Sequence, residues 1–177
     1  MKKIDYILRM TAKPLLLSLF LVCFTPRVAA GEGDGHFGIQ TGIMYPRIFN
    51  ATLSYDLETN YHNAYEVYVD YFTQWDKCGT CDKVCMDSFW KRRYGLGIGA
   101  AYKPAIHRGH NQFGRLRLGA DVGTNTRGFA LGIEVGYEYV FSFQSGVQLV
   151  IQQKNEVTFW SKPTFKNGLL LGVRFPM

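Results

Sequence analysis

Beyond position 30 the 177-residue sequence has no stretch of 18 apolar residues, which excludes a membrane-spanning helix from that part of the chain. Sustained runs of Lys and Arg are also missing. The net charge of +6 owes much to the first 30 residues, where Lys2, Lys3, Arg9, Lys13 and Arg27 stand against Asp5. The remainder carries 15 basic and 13 acidic side chains, about +2 net. Phosphate-backbone binding needs clustered cations, and the short Lys91-Arg92-Arg93 cluster reads as a solvated strand end, so direct nucleic-acid binding is not expected. There is no Gly-x-Ser-x-Gly elbow. Ser88, Ser142, Ser145 and Ser161 have no His nearby in sequence, so no catalytic residue is assigned. Cysteine is scarce, with four in the chain.

What is present begins with a leader. Basic residues from Lys2 to Lys13 precede an apolar core from Leu15 to Phe24, followed by Val28-Ala29-Ala30. This is the layout of a secretory signal peptide cut after Ala30. An apolar core of about ten residues is short for a membrane anchor, which needs roughly 20. Lipidation at Cys23 is disfavoured because Val22 occupies the preceding position, where a small residue is expected. The expected division is therefore a signal peptide over 1–30 and one domain over 31–177. That domain would be rich in glycine, since all 19 Gly lie after position 30, and in aromatics, since the chain has 11 Tyr and 13 Phe and only Tyr6, Phe20 and Phe24 fall in the leader. The aromatic bias favours strands.

The dominant pattern is alternation with period two. Phe129, Leu131, Ile133, Val135, Tyr137, Tyr139 and Phe141 share one face, and Ala130, Gly132, Glu134, Gly136 and Glu138 share the other. Just before them, Leu116, Leu118, Ala120 and Val122 oppose Arg115, Arg117, Gly119, Asp121 and Gly123. Weaker runs of the same kind span about 35–44, 48–57, 63–73, 92–102, 146–157 and 166–177. The total is about eight strands of roughly ten residues, which suits a tilted membrane crossing. The apolar face carries the bulky residues, while the other face mixes glycine with charge. A small soluble barrel or sandwich would need the reverse, with bulk inside. A narrow barrel in lipid needs bulk outside and small or paired polar groups within. Aromatics near strand ends (Tyr45, Tyr71, Phe72, Tyr94, Tyr102, Tyr137, Tyr139, Phe141, Phe159 and Trp160) suit interfacial girdles. The expected fold is an all-β, about eight-stranded antiparallel transmembrane barrel in an outer membrane, with outer-membrane lipid as its surroundings.

That reading predicts a polar lumen network of Arg115, Arg117, Asp121, Glu134, Glu138, Gln148 and Gln152. Buried charges at this density must be paired, so the first reading is structural and a conducting pore is the sharper alternative. A two-residue turn at Asn125-Thr126 would place Arg117 opposite Glu134. A three-residue loop, Gln144-Ser145-Gly146, would follow, with Gly146 at positive φ. The spacing Gly172, Phe175, Met177 resembles the C-terminal signal recognised by barrel-insertion machinery, although Met replaces the usual final Phe.

Three constellations invite chemistry. Cys78, Cys81 and Cys85 lie in the longest loop, about Thr73 to Lys91. One disulfide with an odd thiol, three reduced thiols, and a metal site all remain open, the last lacking a nearby fourth ligand. Gly95-Leu96-Gly97-Ile98-Gly99 approaches a dinucleotide fingerprint, but Tyr102, Lys103 and Pro104 follow where a helix should open. Strand glycines facing a crowded lumen account for it better. His107 and His110 have no third ligand beside them and read as loop residues, and no metal or cofactor is assigned.

The C-terminal half carries a resemblance. The stretch from Phe89-Trp90-Lys91 to Ala101-Tyr102-Lys103-Pro104, then Glu134 to Phe141, then Val147 to Val150 with Gln152-Gln153-Lys154-Asn155, resembles the conjugative-transposon TraO family. So do Phe159-Trp160-Ser161-Lys162-Pro163 and the ending from Lys166 to Met177. The resemblance implies a non-enzymatic envelope component of a conjugative DNA-transfer apparatus, with other conjugation proteins as partners. It carries no active site to particular residues. Two other expectations stand beside it: a generic outer-membrane barrel for adhesion, envelope stability or small-solute passage, and a lipid-modifying outer-membrane enzyme, for which His62 is the one nameable residue.

Overall fold

A computed structural model describes residues 34–59, 61–74, 94–125, 128–160 and 163–177. The leader 1–30 and Cys78, Cys81 and Cys85 lie outside the described residues. The elements are β1 (Asp34–Tyr45), β2 (Ile48–Glu58), β3 (Ala64–Gln74), β4 (Tyr94–Lys103), β5 (Ala105–Arg108), β6 (Gln112–Asn125), β7 (Gly128–Ser142), β8 (Gln148–Phe159) and β9 (Phe165–Pro176). Every pairing is antiparallel. Apart from β4 and β5, neighbours in sequence pair in turn; β9 returns to β1, and both β4 and β5 pair with β6. The sheet is thus a closed barrel with no free edge, and this satisfies the backbone groups that lipid cannot.

β4 and β5 are two segments of one crossing, so the barrel has eight. Pro104, which has no N–H to give to the ladder, separates them, and the register shifts between Ala105 and His107. The bulge bends the strand as an inserted residue does. The eight predicted runs fall on these crossings to within a few residues at each end, except that the fourth, predicted to end at about 102, runs on through β5 to Arg108. Among the described residues no helix is long and apolar enough to span a membrane.

One mouth of the barrel, the terminal mouth, holds the start of β1 and the end of β9. The opposite mouth holds the β1–β2 turn at Pro46-Arg47 and the ends of β3, β6 and β8. Bulky side chains point outward along every strand. Ile133 (48% exposed), Leu169 (61%) and Leu171 (60%) are typical. Outward aromatics gather at both mouths. Tyr65 and Tyr102 pack at 5.2 Å, and Tyr139 and Phe141 at 4.8 Å, toward the terminal mouth. Phe129 and Trp160 lie 6.0 Å apart at the opposite one. Phe72 departs from the expected girdle. It shares the inward face of Ala64, Glu66, Tyr68 and Asp70 on β3 and packs on Met44, Ile48 and Leu170. The space it fills is left open by Gly95, whose missing Cβ would collide with its ring.

Two loop expectations fare differently. Gly146 has φ +80° in a loop closed by Phe143 N donating to Val147 O at 2.9 Å. The β6–β7 register, however, pairs Asn125 with Gly128, so the turn sits one residue later than predicted and each pair slides by two. Arg117 is opposite Gly136, and Arg115 is opposite Glu138. A slip of two preserves the face of every residue, and Gly128 at φ +132° closes the turn where Asn125-Thr126 lacks a glycine.

Candidate functional site in the barrel lumen

The inward positions carry an ion-pair network that runs from mouth to mouth. Six cations (Lys103, Arg115, Arg117, Lys154, Lys166, Arg174) and seven carboxylates (Asp56, Glu58, Glu66, Asp70, Glu134, Glu138, Glu156) are buried. All strands from β2 to β9 except the short β5 contribute at least one, whereas β1 supplies the buried side chains of His36 and Gln40.

The network starts at the terminal mouth. Glu58 accepts Arg115 Nη2 at 2.5 Å and Gln148 Nε2 at 3.2 Å, and pairs with His62 Nδ1 at 2.6 Å. His62 also stacks on Phe113, with ring centroids 4.5 Å apart. Glu138 is the hub of the next layer. It receives both terminal nitrogens of Arg174, one at 2.7 Å, Lys103 Nζ at 3.0 Å and Arg115 Nη1 at 3.5 Å. Asp56 takes Lys103 at 2.9 Å and Arg174 Nε at 2.6 Å. Lys103 also lies 3.0 Å from Glu66, which accepts Arg117 Nε at 2.8 Å. Arg117 reaches Glu134, and Glu134 takes Lys154 at 2.8 Å. Lys154 also binds Asp70 and lies 3.8 Å from Glu156, which pairs in turn with Lys166.

Rings line the network. Arg117 lies 4.4 Å above the Tyr68 ring, Arg115 4.4 Å above Phe113, and Lys166 4.1 Å above Phe72, placements in which a cation gains from the ring quadrupole. Apolar clusters flank the charges: Phe113, Val140 and Val150 toward the terminal mouth, and Met44, Ile48 and Leu170 with Phe72 toward the opposite one. Gly99 makes room for Tyr68, since an added Cβ would meet the Tyr68 ring and sit 2.7 Å from the Ala120 carbonyl. The Gly95–Gly99 motif therefore serves packing.

Arg115, Arg117, Glu134 and Glu138 all join this network, and Arg117 meets Glu134 along a diagonal of the β6–β7 ladder. Gln148 is buried at the terminal mouth against Glu58, and Gln152 is buried on the same face of β8. Asp121 faces the lumen beside Gly97 and Gly132, half-buried. Sequence reasoning missed the cations Lys103, Lys154, Lys166 and Arg174 and the carboxylates Asp56, Glu58, Glu66, Asp70 and Glu156. Their signal was parity: Lys154 and Glu156 share the face of Gln148 and Gln152, and Arg174 shares that of Gly172. His107 lies exposed on β5, and His110 is exposed in the turn that follows.

Chemically, the lumen is a packed electrostatic core. A water-filled pore would leave its lining accessible, but Lys103, Arg115, Glu138 and Arg174 are each 0% exposed. The carboxylates of Asp70, Glu134 and Glu156 come within 4.8 Å of one another, with the spacing a metal ion needs. The Lys154 ammonium sits among them and supplies the positive charge itself. The His62–Glu58 pair has the form of an oriented base, yet Glu58 is also engaged by Arg115 and Gln148, which fits a structural closure of the mouth.

No protein-family model matches the chain, and no curated protein matches it in sequence. Its fold is similar to that of solved transmembrane barrels. A major outer membrane protein from Thermus thermophilus aligns at TM-score 0.54 and 13% identity, over 82% of this chain and 100% of the other. Neisserial surface protein A aligns at TM-score 0.50 and 13% identity, over 82% and 96%. A structure described as de novo design of transmembrane beta-barrels aligns at TM-score 0.50 and 9% identity, over 85% and 100%. The chain shares with all three the architecture of a small, closed transmembrane β-barrel.

Proposed function

We propose that this protein is a non-enzymatic outer-membrane barrel that serves a conjugative DNA-transfer apparatus as an anchored envelope component. The observation that carries the reading is the closed, ion-paired lumen inside an apolar outer wall. A barrel filled by its own charges offers no passage for solute, so its work falls to the mouths and the outer surface. With both termini on the periplasmic side, the connection from β3 to β4, which bears Cys78, Cys81 and Cys85, belongs to the cell exterior. The resemblance of residues 89–177 to the TraO family supplies the conjugative role. The leader supplies export, with cleavage after Ala30, and the C-terminal strand supplies recognition by the insertion machinery.

Deleting the coding sequence in a donor strain tests the role. Transfer frequency is expected to fall and to recover on complementation. Unchanged transfer would remove the conjugative part and leave a barrel for adhesion or envelope stability. N-terminal sequencing of the membrane-inserted protein is expected to begin at Gly31. The His62–Glu58 pair is the feature that favours an enzymatic reading, and lipid A of unchanged mass after overproduction would remove that reading.

A further inference from the structure

The outward positions are mostly apolar, with Thr41 on β1 and Thr124 on β6 as exceptions, and the side-chain amides among them gather in one place. Gln153 and Asn155 on β8 and Asn167 on β9 face outward among Ile151, Val157, Leu169 and Leu171. Apart from Gln112, the first residue of β6, they are the outward side-chain amides of the described strands. They form one cluster, since Asn155 pairs across the ladder with Asn167. Gln153 and Asn155 sit inside the belt, while Asn167 lies toward the opposite mouth, where it also pairs with Tyr45, the last residue of β1. Asn155 pairs with Val135, the central member of the seven outward residues that run from Phe129 to Phe141 on β7. Polar groups facing hydrocarbon are expensive, and in membrane proteins they mark contacts between protein surfaces.

The hydrogen bonds show how far the cluster satisfies itself. Gln153 Nε2 donates to Asn155 Oδ1 at 2.9 Å, and Asn155 Nδ2 donates back to Gln153 Oε1 at 3.0 Å. Asn155 Nδ2 also donates to the Val135 carbonyl at 3.0 Å, and Asn167 Nδ2 donates to Asn155 Oδ1. Asn155 has then used two donors and two acceptor sites, its full capacity. Gln153 keeps one N–H and one lone pair, and Asn167 keeps one N–H and its carbonyl. The remainder is two donors and three acceptor sites with no charge, a set in which each spare donor of one copy can find an acceptor on another.

We infer that the β8–β9 outer face, centred on Gln153, Asn155 and Asn167, is a lateral docking surface for a second copy of this chain. A two-fold axis along the membrane normal would bring the patch against itself, as isologous interfaces require. The spare donors of each copy would meet the spare acceptors of the other, with the flanking aliphatic rows packed around them. A partner with only donors or only acceptors would leave part of the set unmet. The inference rests on the outer-membrane reading above.

The test is the oligomeric state of the folded, full-length protein in lipid vesicles, measured by single-molecule photobleaching and by sedimentation in density-matched micelles. A reductant is present so that cysteines cannot link copies. The native chain is expected to be dimeric. The triple variant Gln153→Leu, Asn155→Val, Asn167→Val is expected to dimerise roughly 100-fold more weakly while keeping the unboiled gel mobility of a folded barrel. If that variant fails to fold, Gln153→Leu and Asn167→Leu, each alone, leave Asn155 in place and are expected to weaken dimerisation in the same direction. An inserted, folded native barrel that stays monomeric would overturn the inference, as would a dimer indifferent to these substitutions. A native chain that dissolves in buffer without detergent would instead overturn the membrane reading on which the inference stands.

Discussion

Replacing Glu138 by Gln removes one charge from the centre of the lumen and leaves the volume nearly unchanged. Glu138 is fully buried and balances Arg174 through two contacts, Lys103 at 3.0 Å and Arg115 at 3.5 Å. Removing one partner from a buried ionic pair costs about 3–5 kcal/mol, because the other charge stays desolvated. Here each cation keeps a second carboxylate. Arg174 keeps Asp56 at 2.6 Å, Lys103 keeps Asp56 at 2.9 Å and Glu66 at 3.0 Å, and Arg115 keeps Glu58 at 2.5 Å. The loss should therefore fall at the lower end, about 3 kcal/mol. Removing a cation together with the anion restores the local balance. Glu138→Gln with Lys103→Met should then be less destabilised than the two single losses added together, by about 1–2 kcal/mol. The assay is urea unfolding of barrels in lipid vesicles, followed by circular dichroism and by the mobility of unboiled samples on gels. A Glu138→Gln barrel within about 0.5 kcal/mol of the native one, a typical surface effect, would refute the electrostatic core.

Gly99→Ala should destabilise the barrel by about 1–3 kcal/mol through overpacking, because its Cβ meets the Tyr68 ring and the Ala120 carbonyl. Gly97→Ala should cost much less, since its nearest neighbours are Asp121 Oδ2 at 3.1 Å and the Val122 carbonyl at 3.6 Å; thermal unfolding of both variants checks the contrast. In planar bilayers the native protein should give no defined conductance step, because buried, ion-paired side chains such as Lys103, Arg115, Glu138 and Arg174 fill the lumen, and a reproducible step would contradict that closure.

The faces of the strands were legible in the sequence because period two needs no knowledge of the partner strand. Along β7 the row Phe129 to Phe141 and the row Ala130 to Glu138 separate cleanly, and so do the two rows of β6. Pairing was less legible. The hairpin after β6 lacks an Asn-Gly signal, and sliding the register by two leaves every residue on its own face, so parity could not distinguish Arg117 opposite Glu134 from Arg117 opposite Gly136. Phe72 was misplaced because bulk alone suggested lipid. Its parity with Asp70 and Tyr68, and the space left at Gly95, place it inside. β8 was phased by Gln148 and Gln152, yet its middle was hard to read. Gln152-Gln153-Lys154-Asn155 is polar on both faces, so Lys154 escaped the predicted network and the outward amides did not stand out. Lys103 and Arg174 sit near strand ends, where a charge is equally compatible with solvent. Only closure of the ring brings them to Asp56 and Glu138.

The orientation of the wall can be read directly from methyl relaxation in nanodiscs containing lipid spin-labelled near the chain end. Leu170 and Leu171 are adjacent in sequence, but one is fully buried and the other is 60% exposed. The label is expected to broaden the methyl signals of Leu171, Ile133 and Val135 strongly, and to spare those of Leu170, Val140 and Val150. Equal broadening in both sets, or broadening of the second set alone, would contradict a barrel with its aliphatic rows in hydrocarbon and its charges enclosed.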